Sequence, residues 1–247
     1  MIAALRSEWI KFSTVTSTRV LVGLAMAFPL VIVIVTGIVA EGTADGGDLS
    51  ELIAGTGVVS ALLLGTLGIL SITTELSTNT IRPTFAAMPD RWRPLAAKPI
   101  LHVTLAGAAM ATIVVLGWLS GSALIRGDQA LGDDSAGGIL VGIIVLAMLL
   151  MLFGYALGLA VRSTPLAICI LLLWPLVVEG IIAGLLEVAD RSELQRWLPY
   201  QAGFELIAGH DPVDSNSLGP VGGGLWFGFW IVLLLGFGLW RTHRRDA

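Results

Sequence analysis

The stretch "ILVGIIVLAMLLMLFGYALGLAV", residues 139–161, contains no charged residue and no proline. A helix rises ~1.5 Å per residue and the hydrocarbon of a bilayer is ~30 Å thick, so about 20 apolar residues in helical form cross it. Five further runs pass the same test: residues 20–40, 52–72, 100–125, 166–186 and 221–240. The composition agrees. The chain is 55% hydrophobic and 13% charged, with a mean hydropathy of +0.88. Soluble domains carry about 25% charged residues, so lipid is the main solvent here. No polar block long enough for a soluble domain remains between the runs. Residues 1–247 therefore read as one transmembrane domain of all-α class with six spans. The first run is longer than the 7–15 residues of a signal-peptide core, and "IVAEG" after it is a poor cleavage site, so it reads as a retained helix.

Lys and Arg set the expected orientation, because cytoplasmic loops carry them in excess. With the N-terminus inside, eleven of the 14 Lys and Arg fall in inside segments. Only Arg126, Arg191 and Arg196 fall outside. Acidic residues gather outside, in "EGTADGGDLSE" and "GDQALGDD". Both termini are expected in the cytoplasm, in a multi-pass membrane protein.

Before the first span comes "ALRSEWIKFSTVTSTR", residues 4–19. Leu5, Trp9, Ile10 and Phe12 lie roughly on one helical face, with Arg6, Ser7 and Lys11 elsewhere. The pattern predicts an amphipathic helix at the inner surface with Trp9 at headgroup depth. A positively charged topogenic leader has the same composition. Between spans five and six, "DRSELQRWL" reads as a short outer helix. Asp190 is a candidate cap with Glu193 completing the box, and Leu194, Trp197 and Leu198 share a face. The following "GHDPVDSNSLGP" is turn-rich.

The only two lysines, Lys11 and Lys98, follow Ile10 and Ala97. Neither ends a Walker A loop, whose Lys contacts the phosphates. HExxH and GxSxG are absent as well, and no spaced Ser/His pair sits inside the predicted spans. Cys169 is the lone cysteine, and His102, His210 and His243 are far apart in sequence, so no metal site is expected. No enzymatic site and no bound cofactor are expected in this chain, and no nucleic-acid partner.

Glu179, in "LLLWPLVVEGII", is the one charged side chain well inside a span. A carboxylate at bilayer depth is costly and faces a cavity or a partner. It is a candidate for a transport path or a proton relay. Its position about two turns from the outer helix end also suits a structural role, reaching water or an outer arginine. Pro29 and Pro175 are candidate bends in spans one and five. Gly117/Gly121, Gly154/Gly158, Gly180/Gly184 and Gly224/Gly228 are small-xxx-small pairs that permit close helix contact.

Between spans two and three lies "TIRPTFAAMPDRWRPLAAK", residues 80–98, with three prolines and four basic residues. Pro83 suits a first helical turn and Pro89 ends that helix after Met88. Phe85 and Met88, three apart, then face outward together, as anchors for a partner's groove. Arg91, Arg93 and Lys98 flank the membrane, where anionic lipid is a candidate contact. An ordinary positively charged loop is the plainer reading.

Taken together, these segments resemble the ABC-transporter permeases of the type-two exporter family, in the short six-span bacterial form. The resemblance covers nearly the whole chain. It starts at "LRSEWIKFSTVTSTR" with its acidic residue and lysine, Glu8 and Lys11. It continues through "ELSTNTIRPTFAAMPDRWRPLAAK", where Glu75, Thr80, Pro89, Arg91 and Lys98 match the family's pattern. Asn79 stands where the family often has glycine, a turn position that asparagine tolerates. "RWLPYQAG", with Trp197, Pro199 and Tyr200, is similar to the family's outer-loop motif.

The resemblance implies a dimer of permeases, identical or related, on two ATPase subunits that hold ATP and Mg. It implies a coupling helix carrying Arg82, Pro83, Phe85, Met88, Pro89 and Arg91, and a connecting helix carrying Arg6, Glu8, Trp9 and Lys11. It also implies short outer helices near the exit for an amphipathic cargo, a drug, a lipid or an antimicrobial peptide. Two other functions fit the residues alone: a stand-alone secondary transporter or channel using Glu179, and a non-transporting membrane scaffold.

Overall fold

The charge-free run of residues 139–161 forms the helix around which the others are arranged. A computed structural model of the protein describes residues 2–39, 49–78, 92–124, 136–208 and 217–245. They are helical, with no strand among them. We number the elements α1 (Ile2–Thr14), α2 (Thr16–Val39), α3 (Leu49–Ser77), α4 (Trp92–Leu124) and α5 (Ala136–Val161). Then come α6 (Thr164–Leu173), a π-helical segment (Trp174–Glu179) and α7 (Gly180–Val188). A 3-10 turn (Ser192–Trp197), α8 (Pro199–Phe204) and α9 (Gly219–Arg245) complete the chain.

Among the described residues six helical stretches are long and apolar enough to cross a membrane, the fifth being Thr164–Val188 through the π segment. They match the six runs of the sequence to within a few residues. Ala40 and Ile125, expected at span ends, lie outside the described residues.

Helices α3 and α5 form the centre. In their most apolar windows 61% and 50% of residues are buried, against 17% to 33% in the other four spans. Glycines explain why these two approach so closely. A Cβ on Gly154 would sit 2.0 Å from the Gly65 carbonyl oxygen, and one on Gly68 2.2 Å from the Met151 oxygen. Both distances are far inside van der Waals contact, so only hydrogen fits. Of the small-xxx-small pairs, Gly154/Gly158 and Gly117/Gly121 pack against neighbours, while Gly180 and Gly184 have nothing within 4 Å.

The other helices pack around this pair. Helix α2 lies on α3 and α4, α4 on α5, α9 on α5, and α6 on both central helices. Buried hydroxyls add hydrogen bonds between them. Ser60 Oγ donates to the Ala25 carbonyl at 2.6 Å, tying α3 to α2, and Thr164 Oγ1 donates to Thr73 Oγ1 at 2.8 Å, tying α6 to α3. Helix α5 stops where Arg162 turns left-handed, at φ 60°, with its N–H on the Gly158 oxygen at 3.0 Å. That is an αL termination. Arg241 on α9 donates to the Ala160 carbonyl at the same end.

Two local expectations are corrected. Asp190 does not cap the segment that follows it. It sits at φ 55°, its N–H on the Glu187 oxygen (3.0 Å) and the Arg191 N–H on the Leu186 oxygen (2.8 Å). This is a Schellman end to α7, so the residue closes one helix instead of opening the next. The segment after it is a 3-10 turn without a side-chain cap. At three residues per turn Leu194 and Trp197 eclipse, and Leu198 leaves their face.

The second correction concerns residues 92–98. They are the first two turns of α4 and not an ordinary loop. Lys98 is buried, so it is not a contact for anionic lipid.

Candidate functional site

Two buried polar constellations sit at opposite ends of the bundle. The first lies where α1, the start of α2, the end of α3 and the start of α4 converge. Lys98 is 4% exposed on α4. Its ammonium meets Glu75 on α3 at 2.7 Å and Glu8 on α1 at 2.9 Å, and donates to the Ser71 carbonyl at 3.2 Å. A buried ammonium is tolerable only with such compensation, since unpaired burial of a charge costs several kcal/mol.

One turn further along α4, His102 Nδ1 lies 2.8 Å from the Lys98 carbonyl oxygen. A carbonyl only accepts, so Nδ1 carries the proton. In the neutral ring Nε2 is then the acceptor. Phe12 of α1 packs edge-on to the His102 ring at 5.9 Å. Helix α1 therefore docks through Glu8 and Phe12, one turn apart, while Trp9 and Ile10 are half exposed. Of the apolar face expected from sequence, Phe12 turns to the bundle while Trp9 and Ile10 turn away from it, because the ion pair and the aromatic contact set the rotation of the helix.

This cluster lines a cleft of about 390 Å³. Phe12 and Leu67 also line a second cavity, of about 210 Å³, between α2, α3, α4 and α5. The two are neighbours, one polar and one apolar. Glu75 and Lys98 stand near the ends of the helices that bracket residues 79–91, with Glu8 of α1 bound to the same ammonium. Among the described residues no group of three or more His, Cys, Asp or Glu side chains is placed to hold a metal ion.

The second constellation surrounds Glu179, which is 1% exposed. Its carboxylate accepts from the Tyr200 N–H (3.0 and 3.2 Å) and the Gln201 N–H (3.1 Å). Helix α8 begins with Leu198 at the cap and Pro199 at the first position. Leucine has no oxygen to cap with, and proline has no N–H to satisfy. Glu179 supplies the missing acceptor from another element. Its position in the sequence suggested contact with water or an outer arginine; among the described residues it meets these backbone N–H groups instead.

The Tyr200 hydroxyl donates to the Leu171 carbonyl at 2.9 Å. Pro175, four residues after Leu171, cannot make the helical bond to that carbonyl. The π segment and the tyrosine together accommodate the proline. The Tyr200 ring packs on Phe153 (5.4 Å) and Phe227 (5.7 Å). Burial pushes its phenol above the ordinary value. Trp197 is half exposed and stacks edge-on with Trp226, whose indole N–H donates to the Trp197 carbonyl at 2.9 Å.

The remaining candidates are scattered. Arg6 is exposed on α1, and of Lys11 only the backbone, in the same helix, is described. Arg82, Pro83, Phe85, Met88, Pro89 and Arg91 lie outside the described residues, as do Asn79, Thr80, Arg126 and His210. What sequence reasoning missed is the meeting of Glu8, Glu75 and Lys98. The signal available was charge balance: a lysine within helical reach of lipid, and two acids at the same predicted depth. A scan against protein-family models finds no match for this chain, and a search among curated proteins finds none either.

Proposed function

We propose that the chain is the membrane-spanning permease subunit of an ATP-driven ABC exporter for an amphipathic cargo. In this reading both termini and residues 79–91 are cytoplasmic. A second permease, identical or related, completes the passage, and two separate ATPase subunits bind ATP and Mg. The observation that carries the reading is the ion cluster. Glu8, Glu75 and Lys98 were singled out separately by the family resemblance, and they meet on one ammonium. A force applied to α1 or to residues 79–91 would reach the roots of α3 and α4 through that joint. The half-exposed Trp9 and Ile10 suit an interfacial α1, with their rings and methyls toward headgroups.

Reconstitution tests the reading. Vesicles holding the chain alone should show no flux, and adding the ATPase subunit encoded by a neighbouring gene should give ATP-dependent export. Phe85→Asp or Met88→Asp should leave the protein in the membrane but uncouple ATP hydrolysis from transport. Wild-type transport by both variants would remove the docking assignment.

The stand-alone transporter reading relied on Glu179. Two backbone N–H groups, of Tyr200 and Gln201, give a structural reason for its burial. That reading requires flux without any ATPase, abolished in Glu179→Gln. The scaffold reading requires partner binding with no flux at all.

A further inference from the structure

The 3-10 turn between α7 and α8 carries a cation that nothing in the chain neutralises. Two donors beside it are occupied: Gln195 Nε2 donates to the Ala183 carbonyl at 3.0 Å, and Trp226 Nε1 to the Trp197 carbonyl at 2.9 Å. Glu179, the acid expected to reach water or an outer arginine, takes the N–H groups of Tyr200 and Gln201. Arg196 is left with neither an ion pair nor a hydrogen bond among the described residues. It is half-buried, its Nε is enclosed without an acceptor, and its two Nη groups reach the surface. A guanidinium presents five N–H donors in a planar fork, and a partly desolvated donor without an acceptor is costly.

The side chain is held in place even so. Its Cζ stands 5.5 Å from the centroid of the Trp197 ring, within cation–π range. Trp197 packs edge-on to Trp226 at 5.2 Å, and Trp226 stacks on Phe229 at 5.4 Å. Arg196 therefore sits at the head of a row of aromatic rings that continues down α9. Leu225, Phe229 and Val232 follow at helical spacing and are exposed. On a membrane-spanning helix such a face meets hydrocarbon, and tryptophans at a span end sit at headgroup depth. The missing partner is thus an anion with several oxygens at headgroup level and an apolar body below it. A phosphate matches the guanidinium fork in shape and charge.

We propose that Arg196, seated on Trp197, binds the phosphate of an anionic phospholipid whose chains lie along the Leu225–Phe229–Val232 face of α9. A zwitterionic lipid fits less well, because its own cation competes for the phosphate. The site goes beyond the export reading and stands whether or not the chain transports anything.

Native mass spectrometry of the purified, delipidated full chain in detergent tests the site. Dioctanoyl phosphatidylglycerol should bind at least about fivefold more tightly than dioctanoyl phosphatidylcholine. Arg196→Gln should abolish that preference. Arg191→Gln, which removes an exposed arginine just before the same turn, should leave it intact. Glycerol phosphate, the head without the chains, should displace phosphatidylglycerol only at concentrations at least about a hundredfold higher.

Equal affinity for the two lipids would overturn the site, and that comparison needs no variant to fold. A preference unchanged in Arg196→Gln, or lost equally in Arg191→Gln, would reduce it to diffuse surface charge and overturn it as well. Displacement by glycerol phosphate at matched concentration would assign the arginine to a soluble phosphate and remove the lipid.

Discussion

Tyr200 shows how one residue can satisfy three constraints. Its N–H meets Glu179, its hydroxyl meets the carbonyl that Pro175 leaves unpaired, and its ring fills the space beside Phe153 and Phe227. Tyr200→Phe keeps the ring and strands a buried carbonyl, which costs about 1–3 kcal/mol. In a Pro175→Ala background the N–H of residue 175 can take that carbonyl, so the same change should cost less. Thermal unfolding of the four proteins in detergent measures the coupling, and additivity of the two changes would refute the link. The pH dependence has a definite sign. The buried phenol titrates above its ordinary value of about 10, so its contribution is present below that pH and is lost as pH rises beyond it. The gap between wild type and Tyr200→Phe should therefore narrow in strong alkali.

Lys98 invites the opposite experiment. Lys98→Ala leaves two carboxylates without the cation between them and should cost about 3–5 kcal/mol. Replacing all three charges, as Glu8→Gln, Glu75→Gln and Lys98→Met, should restore much of that stability while removing the charged joint. Equal stability of wild type and Lys98→Ala would mean the cluster is not buried as described.

At the scale of elements, the spans were legible because length and apolarity determine them, and neither depends on what the helix touches. Partners were not legible. Glu179 and Tyr200 are separated by 21 residues, and nothing in either local pattern names the other. A signal did exist: a helix starting Leu-Pro, with no capping oxygen, and a lone acid at similar depth. Periodicity also failed for the segment after Asp190. Its four-residue spacing looked α-helical, but a left-handed residue at Asp190 and a 3-10 turn fit the short path between α7 and α8.

Glycine pairs gave a mixed result for a physical reason. The motif permits contact without saying whether a neighbour is present. Gly154 faces the Gly65 carbonyl, whereas Gly184 faces open space. Gly154→Ala should force α3 and α5 apart and sharply reduce the yield of folded protein. Gly184→Ala should be tolerated or gain up to about 1 kcal/mol of helix propensity. Size-exclusion profiles and melting temperatures would separate the two, and equal behaviour would contradict the packing described for α3 and α5.

At the scale of the molecule, the bundle has two ends of different character. One holds α1, the ion cluster, Arg162 and Arg241. The other holds Glu179, α8 and the Trp197–Trp226 pair. Six alternating spans bring α1 and the C-terminal turns of α9 to one end, which the proposed function places in the cytoplasm. Ser13 on α1 and Glu193 in the 3-10 turn are both exposed, one at each end. Single cysteines at these positions, in a Cys169→Ala background, should react differently with a membrane-impermeant maleimide. Glu193→Cys should label in intact cells, and Ser13→Cys only after the membrane is opened. The reverse pattern would turn the molecule over. Residues 79–91 would then face away from any cytoplasmic ATPase, and the ion joint would have no motor to transmit.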